Sequence, residues 1–256
     1  MKRIALLLGV FALTFSSCSS DGDDDTNNTT SGTQLSKLIE TYGDGTVENV
    51  IYTYNGNKIV SVISDFGDKT VYTYTGDLIT KEEYYLEDEL EDVTVFEYNA
   101  NQKLIKSTRT FGSSVEVDNF TYNSNGTVSF TTTSDGDIEA TGTIYFNGDQ
   151  PYKKMMTEYF IDINGNPDQE DTVEETTFDN KVNPLASVLG FSKIVISLPK
   201  YTLGYNGISN NVLVFKENNI IQGSSTYTYN GNNMPATEVY NDKQDNFDSN
   251  IQYIYN

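Results

Sequence analysis

The sequence has no histidine, no tryptophan and a single cysteine among its 256 residues. Histidine is the commonest general base and the commonest metal ligand, so its absence removes both. A single cysteine cannot form an intramolecular disulfide, and the fold must be stabilised by packing. Basic residues are also scarce, because 16 lysines and arginines stand against 37 aspartates and glutamates, giving a net charge of −21. We therefore expect no nucleic-acid partner, since such a charge repels phosphate backbones.

Motifs for covalent or nucleotide chemistry are missing as well. The chain contains no Gly-x-Ser-x-Gly, and without histidine no serine can be activated in the usual way. It has no phosphate-binding glycine loop followed by lysine. We expect no cofactor.

The N-terminus has the order of an export signal. Lys2 and Arg3 give a positive start, residues 4–15 form an apolar run, and small residues then precede Cys18. This order resembles a bacterial lipoprotein signal, which implies that residues 1–17 are removed and that Cys18 becomes the lipidated first residue. The resemblance predicts an outer-membrane protein whose membrane contact is made by acyl chains at Cys18.

Residues 18–33 are predicted to be a flexible acidic tether. After Cys18 this stretch contains no apolar residue, so it cannot bury surface to offset the entropy of ordering. Its cluster of acidic residues resembles the surface-export signal of Bacteroidota lipoproteins, which implies exposure at the cell surface; the cluster comprises Asp21, Asp23, Asp24 and Asp25.

A short pattern recurs through residues 34–256: an aromatic residue, one intervening residue, a second aromatic residue and an Asn/Gly/Asp turn. The second aromatic positions fall at 54, 74, 98, 122 and 146, spaced by 20 and then by 24 three times. Alternate residues of a strand share a face, and Asn-Gly or Gly-Asp supplies the positive φ of a tight turn. Each unit therefore predicts a β-hairpin, and a period of about 24 residues corresponds to two strands and two turns.

The hairpins predict an all-β fold of tandem antiparallel hairpins forming a curled meander sheet. The pattern breaks near residues 179–211, where we expect a loop and short-helix insertion, with a helical turn over residues 185–189 that ends at Gly190. Such an insertion commonly covers an open end or the core, or forms a binding face. Because the chain ends inside a repeat motif, residues 252–255 can pair with residues 38–42 and close the sheet.

These hairpins resemble tyrosine-aspartate (YD, or Rhs-type) repeats. The clearest unit carries Phe120, Tyr122, Gly126 and Val128 in the repeat's order. The chain from about residue 45 to residue 256, including its Asp179-to-Pro184 segment, is similar to uncharacterised Bacteroidota lipoproteins built from such hairpins. The resemblance implies a curling antiparallel sheet and no particular activity.

A membrane-spanning barrel is the competing β architecture. Its strands need an apolar outward face over about ten residues. Strand positions here are often polar instead, as in the run Thr80, Lys81, Glu82 and Glu83. We therefore expect a barrel or sheet that does not span the membrane.

Paired carboxylates offer the first candidate chemistry. Acidic residues cluster at Glu82 and Glu83, between Glu87 and Asp92, and between Glu170 and Glu175. A glycosidase needs two facing carboxyl groups, one with a raised pKa. No pair is marked as buried by the sequence, so we expect these acids to be solvated.

A weak calcium site is the second candidate. Oxygen ligands alternate at Asp162, Asn164, Asn166 and Asp168, as at the start of a calcium loop. The sixth position is Pro167 rather than glycine, so a hairpin turn around Asn164 explains the pattern better.

The tyrosines are the third candidate, because aromatic faces stack on sugar rings. Most occupy strand-face positions and should pack along the sheet. Tyr201 and Tyr205 in the insertion are the best candidates for exposed ligand contacts.

Together these observations predict a non-enzymatic outer-membrane lipoprotein that acts as a binding or scaffold module, with a glycan or an envelope protein as partner. A carboxylate-dependent glycan hydrolase is the first alternative, and a purely structural surface spacer is the second. The hydrolase requires a cleft with two facing acids, and the spacer an even surface without cleft or aromatic patch.

Overall fold

A computed structural model of the protein describes residues 33–201, 208–243 and 247–256. Cys18, the signal segment and the tether lie outside the described residues, so these predictions remain untested. Sixteen antiparallel strands form one closed barrel in which each strand pairs with its neighbours in sequence. The strands are β1 (Leu35–Tyr42), β2 (Val47–Asn55), β3 (Lys58–Ser64), β4 (Asp68–Thr75), β5 (Leu78–Leu86), β6 (Glu89–Tyr98), β7 (Leu104–Phe111), β8 (Ser114–Tyr122), β9 (Val128–Ser134), β10 (Asp137–Asn147), β11 (Gln150–Ile161), β12 (Pro167–Phe178), β13 (Val212–Glu217), β14 (Ile220–Tyr229), β15 (Pro235–Asp242) and β16 (Phe247–Tyr255).

The predicted all-β meander is confirmed, and so is its closure. The first and last strands pair antiparallel, with Leu38 opposite Tyr253 and Tyr42 opposite Ser249. Closure leaves no sheet edge, so no row of unpaired backbone groups is exposed to a second chain.

Each repeat motif lies at the end of an even-numbered strand. Gly56 and Gly76 occupy the tight turns after β2 and β4 with φ of 58° at both positions, as the motif requires. The aromatic pairs before these turns point into the barrel, where they belong to the hydrophobic core: Tyr52, Tyr54, Tyr72, Tyr74, Phe96, Tyr98, Phe120, Tyr122 and Phe146. For the six tyrosines in this list, the prediction that tyrosines pack along the sheet is confirmed.

The barrel has two unlike rims. The turns that follow even-numbered strands lie at one rim, which also carries both ends of the described chain. Residues 179–211 connect β12 to β13 at this rim, and we call it the insertion rim and the segment the insertion. The turns after odd-numbered strands form the far rim.

The insertion enters the lumen and reaches the opposite wall. Strand β4 lies eight positions from β12 in either direction around the sixteen-strand barrel. The insertion contacts the wall there, because the Leu189 N–H donates to the Asn57 carbonyl (2.9 Å) and the Tyr74 hydroxyl donates to the Leu189 carbonyl (3.0 Å). Val188, Ile194 and Ile196 are buried in the hydrophobic core. The insertion therefore packs into the core, which is one of the roles expected for it.

The helix of the insertion differs from the prediction by one turn. The single described helix, α1, covers Phe191–Ile194 and begins after Gly190 instead of ending at it. Gly190 has φ of 75°, and a Cβ there would lie 2.8 Å from the Asp77 carbonyl oxygen and the Ile79 nitrogen. The glycine thus allows close approach to the wall, a tertiary requirement that local sequence does not reveal. Among the described residues, no helix is long and apolar enough to cross a membrane.

Candidate functional site

The inner wall changes character between the two rims. The half nearer the insertion rim is aromatic and apolar, whereas several inward positions nearer the far rim are acidic. One row runs directly across neighbouring strands, with Glu82 opposite Thr94, Thr94 opposite Arg109 and Arg109 opposite Glu116. Alternation places these side chains on one face, so the lumen contains a built polar cluster.

We call Glu82, Asp92, Glu116 and Asp118 around Arg109 the acidic cluster. The Arg109 guanidinium donates to Asp92 Oδ2 from Nη2 (2.6 Å) and from Nε (3.2 Å). Asp118 is almost fully buried and accepts hydrogen bonds from Ser107 Oγ (2.8 Å), from Thr132 Oγ1 (2.7 Å) and from the backbone N–H of Leu198 in the insertion (3.1 Å). The cluster therefore links the wall to the insertion.

Desolvation raises the pKa of three acids of the cluster. The pKa of Glu82 is raised to about 7, mainly by burial and then by the negative charge of Asp92, while Arg109 opposes the shift. Burial also raises the pKa of Glu116 and of Asp118. The expectation that the clustered acids are solvated is wrong for Glu82 and Asp92, which face the lumen, and for Glu174, which is buried beside Lys154.

Tyr201 adjoins this cluster. Its hydroxyl donates to Glu116 Oε2 (2.8 Å), and its ring lies over the Arg109 guanidinium at 5.5 Å. The side chain is 39% exposed, so part of the ring remains accessible. Tyr205 lies outside the described residues, and sugar binding at either tyrosine stays a prediction.

A separate cavity of about 160 Å³ lies between the insertion and strands β13–β16, β1 and β2. The insertion contributes Pro184 and Leu185 to its lining. Strand β14 contributes the small residues Gly223, Ser224 and Ser225 to the lining. Four tyrosines also line the cavity: Tyr52, Tyr227, Tyr240 and Tyr253.

Glu238 is the one acidic side chain that lines this cavity among the described residues. It is 7% exposed and accepts hydrogen bonds from Ser225 Oγ (2.5 Å), from the Tyr227 hydroxyl (3.2 Å) and from the Tyr253 hydroxyl. Burial and the Glu238 charge raise the pKa of both tyrosines. The tyrosines therefore stay protonated and donate to the carboxylate.

The predicted calcium ligands lie in the turn between β11 and β12 at the far rim. Asp162 Oδ1 accepts the backbone N–H groups of Asn164 (2.8 Å) and Asn166 (2.7 Å), and these bonds lower the Asp162 pKa. Asp168 lies beyond the turn and accepts its neighbour's N–H. The described part of the chain contains no group of three acidic or sulfur ligands that could hold a metal ion. The hairpin turn that the sequence favoured is present, and calcium binding remains a prediction.

The outer wall carries charged pairs between neighbouring strands. Lys106 pairs with Glu97 (2.8 Å) and Lys153 with Glu175 (2.9 Å), both at outward positions opposite each other in register. Of the polar run noted in the sequence, Lys81 and Glu83 lie on the outer face, whereas Glu82 points inward. The same face also exposes apolar side chains, among them Ile51, Met155 and Val239.

Known proteins share this architecture at low sequence identity. A porin-like protein from Bacteroides vulgatus superposes with a TM-score of 0.55 at 15% identity, covering 88% of this chain and 99% of its own. A porin-like protein from Bacteroides uniformis gives 0.50 at 11% identity, covering 87% and 98%. The barrel fold is shared.

Sequence families add little to that result. A family model described only as "Uncharacterised protein" matches residues 32–155. No curated protein matches the chain. Neither finding tests the resemblance to YD repeats, which stays a prediction.

Sequence reasoning missed Arg109, Glu116, Asp118 and Glu238 as site residues. Each lies within an ordinary alternating strand, and only closure of the sheet brings them to a common interior. A usable signal was present, because a strand of a closed barrel that places an acid on the same face as the repeat aromatics must bury that acid. Glu116 and Asp118 precede Phe120 with this spacing.

Proposed function

We propose that this protein is a lipid-anchored, non-enzymatic barrel of the outer membrane that binds a glycan or an envelope protein instead of conducting solutes. The observation that carries the proposal is the insertion, which fills the lumen with its own apolar side chains and is hydrogen-bonded to the opposite wall. A conducting barrel needs an open aqueous lumen.

Two further observations support the proposal. The outer wall carries ion pairs where a membrane-spanning barrel presents a lipid-facing apolar band. The neighbours named porin-like share the barrel and come from Bacteroides, which agrees with an envelope location for a chain carrying a lipoprotein-type signal.

Labelling with palmitate tests the anchor. The full chain, expressed in a bacterium with an outer membrane, should incorporate labelled palmitate and sediment with outer membranes. The Cys18→Ser variant should incorporate none, and a Ser17→Ala variant serves as the matched control. An unlabelled wild-type chain would contradict the anchor.

Detergent dependence tests whether the wall faces water. Residues 34–256 contain all sixteen strands and the insertion, so we expect this fragment to be monodisperse without detergent and to unfold cooperatively. A fragment that stays in solution only with detergent would indicate a lipid-facing wall and overturn this part of the proposal.

A glycan hydrolase is the second candidate function, and Glu82 is the observation that favours it. The Glu82 carboxyl group, with a pKa near 7, can act as the acid of a hydrolase, and Asp92, which Arg109 holds through hydrogen bonds, supplies a second carboxyl group beside it. Release of reducing sugars from envelope glycans should then fall by at least about a hundredfold in both Glu82→Gln and Asp92→Asn. If the wild-type chain releases no sugar from any of these glycans, the hydrolase function is rejected and binding is the remaining function.

A further inference from the structure

We infer that the cavity beside Glu238 binds a small organic cation, of the size of one ring or of a trimethylammonium group. The inference rests on the proposed function and deepens it by giving the chemical class of one ligand. It is carried by the size, the aromatic lining and the charge of the cavity.

The volume of the cavity limits the size of the ligand. A cavity of about 160 Å³ compares with the engineered cavity of about 150 Å³ that accommodates benzene in another protein. It can hold one ring or one branched ammonium group, and an oligosaccharide is too large.

Aromatic faces set the second limit. Tyr52 on β2 and Tyr227, Tyr240 and Tyr253 on the consecutive strands β14, β15 and β16 line the space. Electron-rich aromatic rings attract cations, and the attraction is stronger where the cation is desolvated. Several tyrosines around one space form the arrangement that recognises alkylated ammonium groups.

Charge decides between a cation and a neutral ring. No lysine or arginine lines the cavity among the described residues, and Glu238 is a buried carboxylate. Burial raises the pKa of Glu40, and the charges of Glu48 and Glu238 raise it further, so these three carboxyl groups lie near one another. The local charge is therefore negative without a described basic partner, and a bound cation would neutralise part of it.

Glu238 also retains hydrogen-bonding capacity. A carboxylate accepts about four hydrogen bonds, and three hydroxyl donors reach this one: two bind Oε1 and Tyr253 binds Oε2. Oε2 can therefore accept a further hydrogen bond from an N–H group or contact an alkylammonium group.

Gly223 also shapes the lining of this cavity. A Cβ at this position would lie 2.6 Å from the Tyr240 hydroxyl oxygen, so the tyrosine can occupy its place in the lining only because residue 223 has no side chain.

The test compares choline with 3,3-dimethylbutan-1-ol, its uncharged analogue of nearly the same shape, by calorimetry and by ligand-observed NMR on the full mature chain. We expect choline to bind at least about tenfold more tightly, which is the ratio that about 1.4 kcal/mol of cation–π and carboxylate attraction produces. Glucose serves as the neutral sugar probe.

Two matched variants locate the site. Glu238→Gln keeps the shape of the side chain and should weaken choline binding by about tenfold or more. Asp68→Asn removes another partly buried carboxylate that accepts a tyrosine hydroxyl, that of Tyr84, and does not line the cavity, and it should change binding by less than about threefold. Melting curves of both variants confirm that each is folded.

Several results would overturn the inference. Equal binding of choline and its neutral analogue, binding unaffected by Glu238→Gln, glucose binding without choline binding, or no choline binding by the folded chain would each do so. The lipid anchor and the water-facing wall are tested independently of these measurements, so failure of the cation site can be told apart from failure of the proposed function.

Discussion

At the residue scale, the protein places ionisable groups inside a barrel and holds each with specific partners. Lys154 is fully buried on β11. Its ammonium group pairs with Glu174 (2.8 Å) and donates to the Pro199 carbonyl of the insertion (2.6 Å). Burial lowers the Lys154 pKa although Glu174 opposes the shift. The pair therefore connects the wall to the insertion at a desolvation cost.

We expect removal of the Lys154 side chain to destabilise the folded protein. Lys154→Met leaves Glu174 buried without its cation, so we expect the free energy of unfolding to fall by about 3–5 kcal/mol in urea denaturation. Lys153 is its outward neighbour and pairs with a partly exposed Glu175, so Lys153→Met should cost about 0–1 kcal/mol. Equal costs for the two variants would contradict the burial of Lys154.

Glu82 gives a pH-dependent prediction. Its pKa is raised from 4.5 to about 7 in the folded protein, so between these values the folded state binds more protons than the unfolded state. The contribution of Glu82 to the free energy of unfolding is therefore complete below its unfolded pKa, and it is lost as pH rises towards 7. Glu82→Gln should therefore be more stable than the wild type at pH 8 by about 1–3 kcal/mol, with little difference at pH 4.5.

The control for this prediction is the adjacent outward residue. Glu83→Gln should parallel the wild type, because Glu83 lies on the outer face beside Lys81. A Glu82→Gln variant whose stability follows the wild-type curve between pH 5 and pH 8 would show that the Glu82 carboxyl group is not desolvated.

At the element scale, the hairpins and the insertion have different origins. The hairpins follow from local rules, since aromatic alternation and Asn-Gly or Gly-Asp turns specify each one. The insertion follows from tertiary fit, because α1 has only four residues and no side-chain cap. It is positioned by bonds to Asn57, Asp118 and Lys154 on distant strands.

Gly190 is the position at which this fit is most sensitive. Gly190→Ala combines a positive φ with a Cβ placed 2.8 Å from wall backbone atoms, so we expect a loss of about 1–3 kcal/mol in unfolding free energy. Gly231→Ala, in a turn with nothing within 4 Å of the new Cβ, should lie within about 0.5 kcal/mol of the wild type. A neutral Gly190→Ala would mean that the insertion does not pack against the β4–β5 turn.

The hairpins and the insertion also show how much of the fold could be predicted from the sequence. The repeat spacing and the unfinished final motif were enough to predict antiparallel hairpins and the pairing of the last strand with the first. The helix α1 begins after Gly190, whereas the predicted helical turn ended there. The reason is that Gly190 allows a close contact with the wall and does not end a helix. The inward carboxylates were missed because Glu82 and Glu83 look alike in sequence, and only curvature of the sheet sends one into the lumen.

At the scale of the whole molecule, closure of the sheet produces the features of functional interest. An open meander would expose the repeat aromatics on one face, whereas closure turns that face inward and leaves a wall of mixed polar and apolar residues outside. The lumen is then wide enough for a chain segment, and the insertion occupies it. The space that the insertion leaves beside β13–β16 becomes the cavity with Glu238 and four tyrosines.

The central claim is that the barrel is filled by its own insertion, and a disulfide tests it most directly. Residues 34–256 contain no cysteine, so Asn57→Cys and Leu189→Cys can be combined without interference. Their backbones are hydrogen-bonded at 2.9 Å, which brings the two Cα atoms within the range of a disulfide. Asn57→Cys with Ser209→Cys is the control, because Ser209 is bonded to Gln150 at the start of β11.

We predict rapid and nearly complete oxidation of the Asn57–Leu189 pair in the native protein and none of the control pair. Free thiols at both positions under the same oxidant, in a chain that still melts cooperatively, would place the insertion outside the lumen and contradict the account.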